Sequence, residues 1–161
     1  MKIELAKTEI IHFVGIGGIG MSGLSLITKG KGFKVQGSDL SLNKNVERLK
    51  KEKIKIFIGH KKQNLKDATI VVVSSAIKKN NPEIIEAKRK NLPIIKRGKM
   101  LAHIVSLMRN IVVVGSHGKT TTTSLITSIF QNTKIDPTII NGGVINSINN
   151  TAKLGKSDWS I

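Results

Sequence analysis

Between Val112 and Thr123 the chain reads VVVGSHGKTTTT: a β-branched run, two glycines, one lysine and a cluster of hydroxyls. These are the groups that the phosphates of a nucleoside triphosphate require. Glycines let backbone N–H groups close around phosphate oxygens, and a helix starting at the same place adds partial positive charge. In the segment Gly115-Ser116-His117-Gly118-Lys119-Thr120-Thr121 the lysine is placed to reach the terminal phosphates. Thr120 is placed to offer its hydroxyl to Mg²⁺. The general pattern G-x-x-x-x-G-K-[ST] wants a glycine where this chain has Val113, so the loop is a shorter variant. The plainer alternative is a helix-capping turn that carries a lysine.

A second loop of phosphate type lies near the N-terminus. Gly15-Ile16-Gly17-Gly18-Ile19-Gly20-Met21-Ser22 fits G-x-G-x-x-G and is followed, further on, by Ser38-Asp39. An acidic residue at that distance is what a dinucleotide fold uses to hold a ribose. The alternative here is that the glycines serve only tight strand–helix packing. Two loops in one chain suggest two nucleotides, one recognised and one consumed.

The elements that must position these loops alternate. Strands are expected at Ile10–Val14, Phe33–Gln36, Ile54–Ile58, Thr69–Val73 and Ile94–Ile95. Helices are expected from the first loop to about Lys31, at Lys44–Lys51, from Asn81-Pro82-Glu83 onward, and at Gly98–Leu107. Such alternation argues for a parallel sheet covered by helices, with ligands at the strand C-termini. Asn110–Val114 reads as a buried parallel strand entering the second loop. The helix after Lys119 carries Leu125, Ile126, Ile129 and Phe130 at one-face spacing, and Pro137–Ile140 reads as a strand. The expected fold class is α/β: a Rossmann-like sheet domain over residues 1–108, then the beginning of a P-loop ATPase domain over 109–161, with the boundary near Leu107-Met108-Arg109.

The phrases GIGGIGMSG, QGSD, FIGH, VVVSSAI, NPE, GSHGKTTTT and DPTIINGG, in this order, resemble the Mur ligases of peptidoglycan synthesis, from Ile10 to Asp158. Within that family the pattern is most similar to the branch that joins L-alanine to the lactyl carboxylate of UDP-N-acetylmuramate. The resemblance implies that Gly15, Gly17, Gly18, Ile19, Gly20, Met21 and Ser22 wrap the diphosphate of a UDP-sugar. It puts Ser38, Asp39, His60, Ser74 and Ser75 around the uridine and sugar, and Asn141, Gly142 and Gly143 toward the muramyl group. It implies ATP on Gly115 to Thr121, with Lys119 and Thr120 as the catalytic pair and magnesium carried in with ATP near Thr120. It also implies an ATPase domain and a C-terminal domain larger than the residues here, so this chain reads as the front part of a ligase that does not catalyse ligation by itself.

Composition narrows the classes. Twenty-seven basic against ten acidic residues give a net charge of +17, which raises nucleic acid or an anionic membrane as a partner. The basic residues are nearly all lysine and lack interleaved aromatics, at 3% aromatic content, so a solvated surface is expected and neither nucleic acid nor membrane is assigned. Cysteine is absent, which removes disulfides and thiolate metal sites. Of the four histidines, His12 and His103 are expected to be structural, and His60 and His117 lie beside the proposed ligands. The polar N-terminus and the lack of a long apolar run make cytoplasmic the expected location. A homo-oligomer is left open. Two other classes stay in view: an NAD(P)-dependent oxidoreductase using Gly15, Gly17, Gly20 and Asp39, and a non-catalytic UDP-sugar-binding module.

Overall fold

The computed structural model describes residues 5–131 and 133–161. Its centre is a five-stranded parallel sheet of order β3-β2-β1-β4-β5, built from β1 (Ile10–Val14), β2 (Lys34–Asp39), β3 (Lys55–Ile58), β4 (Ile70–Val73) and β5 (Ile94–Lys96). The crossovers are α1 (Ile19–Gly30), α2 (Lys44–Lys51), α3 (Pro82–Arg89) and α4 (Arg97–Ser106). The strand order reverses at β1, whose neighbours are β2 on one side and β4 on the other. Loops after β1 and β4 therefore diverge there and open a crevice at the strand C-termini.

Strand pleating sorts the core into two faces. Ile11, Phe13 and Val72 pack with Met21, Leu24 and Ile27 of α1 and Met100 and Ile104 of α4. Val14 and Val71 point the other way, to Leu65, Ile84 and Ala87. Large aliphatic side chains fill both faces, as the low aromatic content requires. Each helix entry is locally fixed: Asn43 accepts from the Val46 N–H and Asn81 from the Glu83 N–H, with Pro82 in the first turn of α3.

Beyond α4 the architecture changes. β6 is Arg109–Asn110 alone, paired in parallel with β9 (Trp159–Ser160). The expected buried strand Asn110–Val114 is thus corrected: Val112 and Val114 are 68% and 82% exposed. A β-branched run predicts extended backbone, but burial needs neighbours on both faces, and among the described residues this segment has a ladder partner only at its start. The helix after the second loop, α5 (Lys119–Gln131), forms as expected. Its inward face is set by Thr123 and Thr127, which are buried, while Leu125 and Ile129 are 63% and 67% exposed. Of the four residues read from spacing as one face, Ile126 and Phe130 are half-buried while Leu125 and Ile129 face outward, so the inward face is shifted from the one expected.

β7 (Ile139–Ile145) and β8 (Asn150–Lys153) form an antiparallel ribbon that folds back onto the first sheet's helices. Gly23 on α1 leaves room for Ala152, and Arg48 of α2 donates to the Asn150 side chain and to the Ala152 carbonyl. α1 is consequently enclosed between sheet and ribbon, and its Ser25 and Thr28 hydroxyls, buried on that account, donate to carbonyls of the preceding turn.

Candidate nucleotide sites

The first glycine loop leaves β1 with Gly15 at φ 77, a left-handed backbone that favours glycine. The N–H groups of Gly15 and Ile16 both donate to the Ser38 carbonyl at 2.9 Å, tying the loop to the end of β2. Gly17 is clamped from two sides: its N–H donates to Asp39 Oδ2 at 2.8 Å and its carbonyl accepts from Asn45 Nδ2 at 2.8 Å. A Cβ at Gly17 would lie 2.7 Å from Asn43 Nδ2 and 2.8 Å from a Val46 methyl, so no side chain fits. Asp39, expected at a ribose, thus also locks the loop. α1 then begins at Ile19 without a side-chain cap, leaving the leading N–H groups of its first turn for an anion.

Sequence reasoning missed Arg97. Its guanidinium lies against Gly20, where any side chain would begin. Arg97, Ile19 and Gly20 line a cavity of about 240 Å³ together with Asn141, Gly142 and Thr151. One arginine among so many basic residues gives no local signal; only the fold puts the start of α4 beside the start of α1.

The residues Ser38, His60, Ser74 and Ser75 occupy the C-terminal ends of β2, β3 and β4. Ser74 accepts from the Ala76 N–H, closing a turn that brings Ile77 against Gly15. Ser38 is buried and its hydroxyl donates to Glu83 Oε2 at 2.6 Å. His60 Nδ1 lies 2.9 Å from the same oxygen and 3.0 Å from Ser38 Oγ. Glu83 Oε1 accepts from Asn64 Nδ2 at 2.7 Å and faces His12 Nε2 at 3.4 Å. Glu83, read from sequence only as part of a helix start, is therefore the centre of a sealed polar network. Burial pushes its carboxyl up, but the adjacent His12 ring and the hydrogen bonds from Ser38 and Asn64 outweigh that and hold it below the usual range.

The second loop places Gly115 at φ 155 and Gly118 at φ 76 before α5. Lys119 Nζ donates to the Gly115 carbonyl at 2.6 Å and the Ser116 carbonyl at 3.0 Å, so the ammonium folds over its own loop. An incoming phosphate would offer it stronger, charged acceptors. Ser116, His117 and Thr121 are exposed around it. Lys119, Thr120 and Thr123 line a cavity of about 300 Å³ with Asn141, Gly142 and Val113. Gly143 sits close to Thr120, whose hydroxyl lies 3.5 Å from where a Cβ would be. Asn141 and Gly142 thus border both cavities and join the α1 terminus to the lysine loop. No group of three or more His, Asp or Glu side chains among the described residues could hold a metal by itself.

A parallel sheet of this order, with one glycine loop at its switch point and a second, lysine-bearing loop beyond it, defines a doubly wound α/β protein. The chain belongs to the Mur ligase family: the profile for the Mur ligase family, catalytic domain, matches residues 10–109. It is 76% identical over 161 residues to a UDP-N-acetylmuramate–L-alanine ligase of Pelagibacter ubique, covering all of this chain and 35% of that protein. It is 49% identical to the ligase of the same name from Brucella ovis, again over its whole length and 34% of that protein. The chain therefore spans about a third of the length of the curated relatives it matches. Among solved structures, UDP-N-acetylmuramate-alanine ligase from Thermotoga maritima superposes with a TM-score of 0.82 at 32% identity, over 93% of this chain and 36% of that one. A murein peptide ligase from Psychrobacter arcticus gives 0.83 at 25% identity, over 94% and 36%. Backbone shape does not separate these two kinds of ligase.

Proposed function

We propose that the chain carries the UDP-sugar site and the ATP phosphate loop of an ATP-dependent acid–amine ligase that joins L-alanine to UDP-N-acetylmuramate for peptidoglycan synthesis in the cytoplasm. The observation that carries this reading is the shared wall of the two cavities: Asn141 and Gly142 border both the space beside Gly20 and Arg97 and the space beside Lys119 and Thr120. A sugar whose diphosphate rests on the first loop would then extend its carboxylate toward a triphosphate on the second. Residues 1–108 act as the UDP-sugar unit and 109–161 as the ATP-loop unit.

The reaction this supports begins with attack of the lactyl carboxylate on the γ-phosphorus of ATP. ADP leaves, and an acyl phosphate forms on the carboxylate. The amine of L-alanine then attacks the acyl carbon, phosphate departs, and the amine proton is lost as the amide forms. Phosphoryl transfer depends on positioning and charge neutralisation, so no nucleophilic side chain is required. Lys119 neutralises charge on the β- and γ-phosphates, Gly115 and Gly118 let backbone N–H groups approach, and Thr120 offers its hydroxyl as a ligand. Mg²⁺ bound with ATP would supply Lewis-acid neutralisation of the same phosphates. Arg97 and the start of α1 hold the sugar's diphosphate, aided by Gly17 to Ser22.

Separate calorimetric titrations with UDP-N-acetylmuramate and with ATP·Mg²⁺ test the assignment. Independent saturable binding of both supports it. UDP-sugar binding without ATP binding would reduce the chain to a recognition module, and NAD(H) binding in place of either would overturn it.

A further inference from the structure

The helix α2 holds two distant parts of the chain with one face. In its first turn Asn45 Nδ2 donates to the Gly17 carbonyl at 2.8 Å, and Val46 leaves no room for a side chain at the same glycine. Three residues after Asn45, at the spacing that puts side chains on a shared face, half-buried Arg48 reaches out to the ribbon. Its Nη1 donates to the Asn150 side-chain oxygen and its Nη2 to the Ala152 carbonyl at 3.2 Å. A charged donor makes such bonds stronger than those between neutral amides. One short helix thus grips the first glycine loop with Asn45 and the ribbon with Arg48.

The ribbon depends on that grip. Among the described residues β8 pairs only with β7. Ile140 lies opposite Ala152 yet gives its N–H to the Ile161 carbonyl at 2.8 Å, the pattern of a non-hydrogen-bonded antiparallel pair, so the Ala152 carbonyl points off the outer edge of β8. Arg48 takes that carbonyl. Beyond Ile140 the regular pairing stops and resumes only at Ile145 with Asn150. Asn141 and Gly142, which border both cavities, therefore hang from the Ile140–Ala152 pair. Thr151, between the two acceptors of Arg48, lines the cavity beside Arg97.

We infer that Arg48 is a positioning residue for the sugar end of the nucleotide: by holding Asn150 and Ala152 it fixes Thr151, Asn141 and Gly142 at a set distance from the glycine loop that Asn45 holds. The inference rests on the proposed UDP-sugar reading of the first loop. It divides one ligand into two parts. The diphosphate meets the loop, which Arg48 does not hold. The sugar and its carboxylate meet the ribbon, which Arg48 does hold, so its removal is felt by the sugar-bearing nucleotide and not by UDP.

The test compares UDP and UDP-N-acetylmuramate binding to the 161-residue chain by calorimetry. Arg48→Ala is expected to weaken UDP-N-acetylmuramate about tenfold, the worth of one displaced hydrogen-bonded contact, and to change UDP by less than about twofold. Asn150→Ala should act in the same direction, and combining it with Arg48→Ala should add little, because the two cut one contact. Hydrogen exchange of the ligand-free chain reads the anchor itself. Amides of residues 139–143 and 150–153 should exchange about tenfold faster in Arg48→Ala, while those of β1 to β5 keep their rates. Equal weakening of both ligands, an unchanged affinity for UDP-N-acetylmuramate, full additivity of the two substitutions, or unaltered exchange in the ribbon overturns the inference. If the unsubstituted chain binds UDP-N-acetylmuramate no tighter than UDP, or binds neither, the proposed path of the nucleotide falls instead, and exchange still decides whether Arg48 anchors the ribbon. Should Arg48→Ala unfold, Arg48→Met, which keeps the stem and loses both donors, takes its place with the same outcomes.

Discussion

Gly23 and Ala152 meet with no space between helix and ribbon: a Cβ on Gly23 would lie 2.6 Å from the Ala152 Cβ. The contact joins α1, which begins the first site, to β8, whose partner β7 carries Asn141 and Gly142. A Gly23→Val substitution is expected to push the ribbon off α1, at a cost of about 1–3 kcal/mol for overpacking. Thermal melting reads the loss, and limited proteolysis within 139–153 should accelerate. Unchanged melting and cleavage would mean that the ribbon is not held by this contact.

Gly20 behaves differently, because its neighbour is the far end of a flexible arginine. Gly20→Ala should leave melting unchanged within about 0.5 kcal/mol, while displacing Arg97 and weakening UDP-sugar binding about tenfold. Arg97→Ala should weaken it similarly, and the double variant should be little worse than either single one, since both remove one interaction. Full additivity would separate Arg97 from the loop.

Lys119 is exposed and, among the described residues, bonded only to carbonyls of its own loop. Lys119→Ala should alter stability by less than about 0.5 kcal/mol yet lower ATP affinity strongly, leaving UDP-sugar binding intact. Calorimetry with each ligand measures both halves. Parallel loss of the two ligands would argue against separate sites.

Acid should find Glu83. Its folded carboxyl titrates below the ordinary 4.5, so the stabilisation it provides is complete above that value and is lost as pH falls through the lower folded value. Melting temperature followed downward from pH 5 should fall along this limb, and Glu83→Gln should flatten it. Among the described residues, His12 and His60 are the titratable groups that face the carboxylate.

Local signals made much of the frame legible. Lys44–Lys51 is the helix expected, because Asn43 caps it and its apolar residues fall on one side. β1 and the start of α1 follow from an apolar run ending in glycine. Pairing partners far along the chain were not legible. Glu83 and Ser38 are 45 positions apart, and nothing near Asn81-Pro82 announces a buried carboxylate. The same limit explains Val112 and Val114: composition gives extended backbone, while exposure depends on which segments lie alongside. In α5 the hydroxyl face of Thr123 and Thr127, not Leu125 and Ile129, turned inward.

Gly142 has open space where a side chain would stand. Gly142 lines both cavities, so a side chain added there would meet no neighbour and would project into the border they share. If the two cavities hold the two nucleotides proposed, a residue grown there would act as a shutter between them, so that occupancy and chemistry could be tuned independently on one unchanged scaffold.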